Sequence, residues 1–397
     1  MIPRPDAIVI GAGIVGAACA RSLAEGGMKV LVLEAEYAGG GTTAAGMGHL
    51  VVMDDSPEQL ALTRLSVTLW RELAAELPPG CEWDPCGTLW VAEDGEQLAA
   101  VRAKAAVYAA AGVATEVLDP AQVAEAEPSL RPGLAGGLRV PGDAVLYPPA
   151  AALFLLERAR AHGAALREGA RVAEIRPGAV VLEGGERLEA EVIVNAAGAA
   201  AARLTPGLPI VPRKGHLAIT DRYPGFCRHQ LVELGYLTSA HVMTGESVAF
   251  NLQPRRTGQL LVGSSRELVG WDGGINRSLL RAMLRRAVEF LPGLARLSVI
   301  RVWTGFRPAT PDKLPLIGPW EEVPGLWIAA GHEGLGITTS LGTGALLADL
   351  VLGRTPAIEA SRFDPGRRGE PINAKAQRDG TERREESQPG RGIQPDS

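Results

Sequence analysis

Residues 6–34 read DAIVIGAGIVGAACARSLAEGGMKVLVLE, and the order of apolar, small and charged positions in this stretch decides the fold. Asp6 to Ile10 is a short apolar run suited to a buried strand, Ile14 to Gly26 a helix with small residues on one side, and Lys29 to Leu33 a second strand. Together they make a βαβ unit. Between strand and helix lies Gly11-Ala12-Gly13-Ile14-Val15-Gly16, and Glu34 closes the second strand. Gly11 permits a tight turn, Gly13 lets the backbone approach a pyrophosphate at the positive helix end, and Gly16 lets helix and strand pack closely. A carboxylate at Glu34 is placed for an adenosine ribose. Ala35 and Glu36 beyond it offer no arginine for a 2′-phosphate, which disfavours NADP.

The same stretch has a rival reading. Ala7 to Ala20 is uncharged, follows Arg4 and ends in small residues like a secretory cleavage site. Its glycine punctuation and the amphipathic segment directly after it argue against secretion, and it is too short to span a bilayer. Elsewhere, 397 residues, 46% of them apolar and 21% charged, predict two or three domains with a full core. A net charge of −5 excludes a polybasic nucleic-acid binder. Cys19, Cys81, Cys86 and Cys227 show no C-x-x-C pair and no metal-ligand spacing, so no metal is expected. A reducing cytoplasm fits best, with peripheral attachment at the inner membrane through a partner or quinone left open.

Working outward, Ser56-Pro-Glu-Gln59 opens a helix expected to run to about Leu77, Gly87 to Ala92 reads as a strand, Gly95 to Ala111 as a helix, and Asp119-Pro-Ala-Gln122 as another helix start. A helix after Pro149 leads into strands around Val172, Val180 and Ile193. Short alternating runs between Pro212 and about Ile300 suggest antiparallel strands, with one basic helix from Leu279 to Phe290. Gly325 to Gly353 returns to strand, glycine-rich turn and small-residue helix. The expected fold class is α/β: a Rossmann-like nucleotide domain (1–80, 146–212 and 303–365) interleaved with a mixed, largely antiparallel substrate-binding domain (81–145 and 213–302). Residues 366–397, rich in charge, Gly, Pro, Gln and Ser, are expected to be a disordered tail.

Three further segments carry backbone-rich turns: Gly39-Gly-Gly-Thr-Thr-Ala-Ala-Gly-Met-Gly48, Val192-Ile-Val-Asn-Ala-Ala-Gly198 and Gly331-His-Glu-Gly-Leu-Gly-Ile-Thr-Thr339. Four pieces exceed what a nicotinamide cofactor usually requires, which favours FAD. With these motifs, and with Trp303-Thr-Gly-Phe-Arg-Pro-Ala-Thr-Pro-Asp-Lys-Leu-Pro-Leu-Ile-Gly318, the chain resembles the D-amino-acid oxidase-like superfamily of FAD enzymes. That group includes glycine oxidase, sarcosine oxidase and D-amino-acid dehydrogenase, and the resemblance covers about Ile8 to Leu352. Within it, GMGHLVVMDDS, VPRKGHLAIT and GHEGLGITTSLG are similar to the FAD subunit of bacterial D-hydroxyproline dehydrogenases.

The resemblance implies an extended FAD with its ADP end at Gly11 to Gly16, Glu34 and Ala35, and Val172 beside the adenine. Ala197 and Gly198 would bind a further part of it. Thr43, Ala45, Gly46 and Met47, together with Gly331, Gly334, Leu335, Gly336, Ile337 and Thr338, would stand near its isoalloxazine ring, and Thr42 and Gly305 would also bind the cofactor. FAD is expected to be non-covalent, because the cysteine through which sarcosine oxidases attach it, just before Thr-Pro-Asp, is replaced here by Gly305-Phe-Arg-Pro-Ala. A helix starting near Gly336 would favour the reduced flavin through its dipole.

Arg307 occupies the carboxylate-binding position of the family pattern W-x-G-x-R-P. Its guanidinium fork suits a carboxylate, and the bland alternative is an ion pair with Asp312. Arg213 and Lys214 stand next in line. The glycine-rich turn holds Glu333 and Gly334 where some glycine oxidase-like members have a second arginine. Tyr236 is a candidate second carboxylate contact or lid, and His49 a candidate facing the ring. His216 and His332 rank lower as catalysts, and Arg281, Arg285 and Arg286 read as a solvated helix face.

The expected reaction is oxidation of a small amino or imino acid, of the D-hydroxyproline kind, by hydride transfer from the α-carbon. No lysine stands in Leu261-Val-Gly-Ser-Ser-Arg-Glu267, where oxidases of the sarcosine type are expected to place one, so an external electron acceptor or partner subunit in a hetero-oligomer is expected instead of dioxygen. A glycine/sarcosine-type oxidase and a 2-hydroxy acid dehydrogenase on the same fold remain alternatives, as does a non-catalytic flavin subunit.

Overall fold

The computed structural model describes residues 4–235 and 245–367, and the chain is mixed α/β. A six-stranded sheet has the order Leu316–Pro319, Leu326–Ala330, Val192–Asn195, Ala7–Ile10, Val30–Leu33 and Ala165–Arg167. All neighbours run parallel except the first pair. Its central strands are continuous apolar runs because both faces are covered. The helices Ile14–Glu25, Pro148–Ala161 and Gly336–Val351 pack on one face, with Pro57–Leu73 stacked outside the last. A three-stranded antiparallel sheet, residues 172–189, covers the other face. The stretch Ala7 to Ala20 is thus the central strand and its helix, buried at the core of this layer.

The second sheet has eight strands, in the order Val299–Ala309, Val211–Thr220, Leu260–Arg266, Ser247–Pro254, Gln230–Glu233, Thr88–Ala92, Gly136–Val140 and Glu116–Leu118. One neighbouring pair, Gln230–Glu233 with Thr88–Ala92, is parallel, and the others are antiparallel. The period of two assigns its cores. Leu89 and Val91 face the helix Arg277–Phe290, whereas Trp90 and Ala92 face the helix Gly95–Ala110. Local signals set the helix starts. Ser56 Oγ accepts from the Gln59 amide with Pro57 in the first turn, and Asp119 and Gln122 form a reciprocal capping box.

Four expectations need correction. The strand Val299–Ala309 pairs along its length with Val211–Thr220, so a domain division at residue 303 falls inside one strand of the eight-stranded sheet. The helix after Ser56 ends at Leu73 and continues only as a 3-10 turn to Glu76. Arg286 is not a solvated side chain like Arg281 and Arg285: it bonds Glu233 at 3.0 Å, Glu289 of its own helix at 3.0 Å and Glu93, pinning the helix to the strand of Glu233 and to the end of the strand before Glu93. Arg367 is docked, since its guanidinium takes Asp312 at 2.7 and 3.0 Å and the Leu314 and Pro315 carbonyls. Residues 368–397 lie outside the described residues.

Candidate active site

One cavity of about 680 Å³ runs from the glycine turn of the first sheet to the Arg307 strand of the second. At its first end, Gly11 adopts φ +103°, and a Cβ there would stand 2.7 Å from the Ala196 carbonyl oxygen; a Cβ on Gly16 would stand 1.9 Å from the Gly11 oxygen. Only glycine fits either place. The helix Ile14–Glu25 then begins at Gly13 without a side-chain cap, which leaves its first amides to the cavity or to neighbouring side chains. Thr43 Oγ1 takes the Ile14 amide at 3.0 Å. Glu34 accepts the Ala12 amide at 2.8 Å and the Glu36 amide at 2.9 Å, which fixes its carboxylate at the cavity wall with acceptor positions to spare.

The loop Gly39 to Gly48 bridges the two sheets. Thr42 Oγ1 donates to the Phe306 carbonyl at 2.8 Å, Trp303 Nε1 to the Ala45 carbonyl at 3.1 Å, and the Gly48 amide to Gln253 Oε1 at 2.7 Å. Opposite this loop stands the start of the helix Gly336–Val351, which has neither a side-chain cap nor an acidic residue in its first turn. Gly336 and Ile337 line the cavity.

At the far end, Arg307 lines the cavity and its Nη1 donates to the Ser265 carbonyl at 3.1 Å. Its slot is cut by Gly215 on the adjacent strand, where a Cβ would stand 2.3 Å from that same nitrogen. Asp312 is taken by Arg367, so the alternative ion pair for Arg307 does not form. Glu333, in a left-handed conformation at φ +48°, faces the same space and pairs with Arg213 at 3.2 Å. Burial would raise the Glu333 carboxyl, but the guanidiniums of Arg307, Arg266 and Arg213 outweigh it and hold the group below the ordinary carboxylate range.

Burial acts alike on three histidines, lowering His216 as well as His49 and His332. Burial pushes His49 and His332 down to about 3. His332 Nε2 meets Thr343 Oγ1 at 3.0 Å, and in the buried His216 Nδ1 meets Ser265 Oγ at 2.8 Å while Nε2 accepts the Asn276 amide at 3.0 Å. Neither of these two is free to move a proton in the cavity. His49 lines it, held by a Thr338 hydroxyl donating to its carbonyl at 2.9 Å.

The cavity tests whether a long, polar-edged cofactor fits. Three buried side-chain atoms of lining residues, His49 Nε2, Asn251 Oδ1 and Ser264 Oγ, have no hydrogen-bond partner among the described residues. Each orphan typically costs about 1 to 3 kcal/mol, so a heterocycle with donors and acceptors on its rim would relieve them. The glycine cradle at one end and this polar wall at the other fit FAD.

The sequence model of the DAO family, FAD dependent oxidoreductase, matches residues 6–350. The chain belongs to this family. It is 35% identical to a D-amino acid dehydrogenase of Methylobacterium nodulans over 318 residues, 75% of this chain and 70% of that one. It is 29% identical to a glycine oxidase of Geobacillus kaustophilus over 91% of this chain and 97% of that one. The crystal structure of the glycine oxidase from Geobacillus kaustophilus superposes with a TM-score of 0.83, covering 92% of this chain and all of that one at 27% identity. The hydrogen cyanide synthase subunit HcnC of Pseudomonas aeruginosa is 27% identical, over 91% of this chain and 96% of its own length.

Within this FAD dependent oxidoreductase, most of the residues expected at the site line the cavity, including Val15, Ala35, Val172, Ala197, Gly198, Gly305 and Gly334. Five do not. Ala12 and Gly16 lie behind the turn, Gly331 forms the turn at φ +83°, Leu335 packs on the core beneath, and Thr338 ties His49 and Val51 from behind. Tyr236 lies outside the described residues. Sequence reading missed Arg171 and Arg203 at the first end and Asn251 and Ser264 at the other. A signal for the last two exists: each interrupts an otherwise apolar strand, in VAFNLQ and LLVGSS.

Proposed function

We propose that the protein oxidises the carbon–nitrogen bond of a small D-amino or imino acid of the proline or hydroxyproline kind and delivers the electrons to an acceptor other than dioxygen. The observation that carries this reading is the slot of Arg307, a guanidinium facing the cavity from a glycine-lined strand at the end away from the nucleotide turn. Such a fork pairs with a carboxylate bidentately and orients what is attached to it. FAD, when bound, supplies the two-electron acceptor for the hydride leaving the substrate α-carbon. The chain's own residues bind, orient and exclude water: the apolar Leu217, Phe306 and Ile337 wall the space between the polar groups, which favours the uncharged amine that can give up its hydride. No residue need serve as a strong base if the amine loses its proton on binding.

Two relatives support the substrate class by name, the D-amino acid dehydrogenase and the glycine oxidase. Support for a dehydrogenase is local: among the described residues no lysine lines the cavity, and its two lining histidines are neutral, so a positive charge to stabilise developing superoxide is confined to Arg307 and the more distant arginines. The role of a partner subunit or quinone as acceptor belongs to this same proposal. Anaerobic mixing of the purified flavoprotein with D- and L-amino acids, imino acids and 2-hydroxy acids tests it. Loss of flavin absorbance with D-proline or D-hydroxyproline is expected. Bleaching only by 2-hydroxy acids would overturn it.

A further inference from the structure

Arg307 accounts for one end of an amino acid, and the cavity also contains a group suited to the other. Among the described residues Glu333 is the one carboxylate lining the substrate end; the other acidic lining residues, Glu34, Glu36 and Glu183, stand at the nucleotide end. Three features hold it in place. Arg213 clamps one oxygen at 3.2 Å, the Gly334 amide donates to the other, and the Glu333 amide is itself tied to the Pro308 carbonyl, one residue beyond Arg307, at 2.9 Å. A carboxylate has about four acceptor positions. Two are used within the protein, so others remain for a donor in the cavity, where the Glu333 side chain keeps 15% of its exposure. The left-handed backbone at a non-glycine residue is sterically costly, and here it directs the side chain to the cavity wall beside Arg307.

We propose that Glu333 is the nitrogen-recognising, specificity-determining residue of this site, accepting a hydrogen bond from the substrate's amino or imino group while Arg307 holds its carboxylate. The inference rests on the amino or imino acid reading above and deepens it. A cation beside an anion at the pocket floor is the complement of a zwitterion. It selects against a carboxylate that bears an ether oxygen in place of nitrogen, because that oxygen has no hydrogen to donate and its lone pair would face a buried carboxylate. The charged groups around Glu333 are Arg307, Arg213 and Arg266, each on a different strand, and Lys313, half-buried in the turn that follows, with Asp55 facing that lysine. All of them stay when Glu333 alone is changed. The apolar walls favour the uncharged amine and the Glu333 charge opposes them, so that charge raises the nitrogen's pKa in the complex. Removing it should lower the pH at which flavin reduction reaches half its plateau.

The experiment uses the full-length flavoprotein, D-proline, and tetrahydrofuran-2-carboxylate, the same ring with oxygen for N–H. Glu333→Gln keeps an acceptor for the Gly334 amide, and Glu333→Gly suits the left-handed backbone, so one of the two folds even if the other does not. Both variants should bind D-proline about 10- to 100-fold more weakly, read from the saturation of anaerobic flavin reduction. Both should bind the oxygen analogue more tightly, read from perturbation of the flavin spectrum, and show a reduction limb moved to lower pH. A parallel change for both ligands, or no change for either, would assign Glu333 a purely structural role and overturn the inference. If the wild type retains amine oxidation but its variants keep the wild-type pH limb, the inference fails and the functional reading stands. If no amino or imino acid reduces the wild type, both fall.

Discussion

Replacing Arg307 with methionine removes the guanidinium and keeps much of its length and apolar stem. The bond from Arg307 Nη1 to the Ser265 carbonyl at 3.1 Å is lost, and the glycine cradle at Gly11 and Gly16 is on the other sheet, so flavin content should be nearly unchanged. The substrate carboxylate would instead enter a largely desolvated pocket without its partner. Breaking such a pair typically costs about 3 to 5 kcal/mol. Arg213 and Arg266 stand behind the site and retain positive potential there, which places the expectation at the lower end. That is about 3 kcal/mol, or roughly two orders of magnitude in kcat/KM. Arg307→Lys should recover only part, because an ammonium lacks the planar fork. The assay is steady-state dye reduction with D-proline, alongside flavin absorbance per protein. Near wild-type kcat/KM in the methionine variant, with full flavin, would refute the reasoning and move the carboxylate site to Arg213 or Lys214.

Three further outcomes are expected. Acid precipitation should release FAD into the supernatant, since Cys19, Cys81, Cys86 and Cys227 are all free and none lines the cavity; yellow colour in the pellet would contradict this. After anaerobic reduction by substrate, an artificial dye should reoxidise the flavin much faster than air, and peroxide formed at the full turnover rate would identify an oxidase. Asp143 is pushed up to about 7 by burial, opposed by the hydrogen bond from the Val52 amide at 3.2 Å and by the charges of Arg71 and Lys104. Its folded pKa therefore exceeds the unfolded value near 3.9, and the unfolded chain holds fewer protons in between. The wild type should lose stability as pH rises from about 4 to 7, by at most about 4 kcal/mol, while Asp143→Asn should not. Thermal melts of both proteins at pH 5 and pH 8 measure this. An equal slope in the two would remove Asp143 as the cause.

What the chain determined locally was legible from its residues. The βαβ unit follows from apolar runs, a small-residue helix and three glycines at fixed spacing, because a tight turn and a close helix–strand contact are satisfied within about 30 residues. The caps at Ser56 and Asp119 are three-residue events and were read as such. Arg307 is singled out in the sequence by its own neighbours, which carry the pattern. Tertiary structure alone decided the rest. Whether Arg307 meets Asp312 depends on Arg367, 60 residues further on, reaching that carboxylate first. Whether Arg286 is solvated depends on Glu93, just past the end of one strand, and Glu233, on another, arriving beside it. Glu333, notable in the sequence only as a missing arginine, acquires a meaning when register sets Arg213 opposite Arg307 and the last loop folds back on both. Charges act through space over a few ångströms, and strand pairing between residues about a hundred positions apart is what brings them within that range.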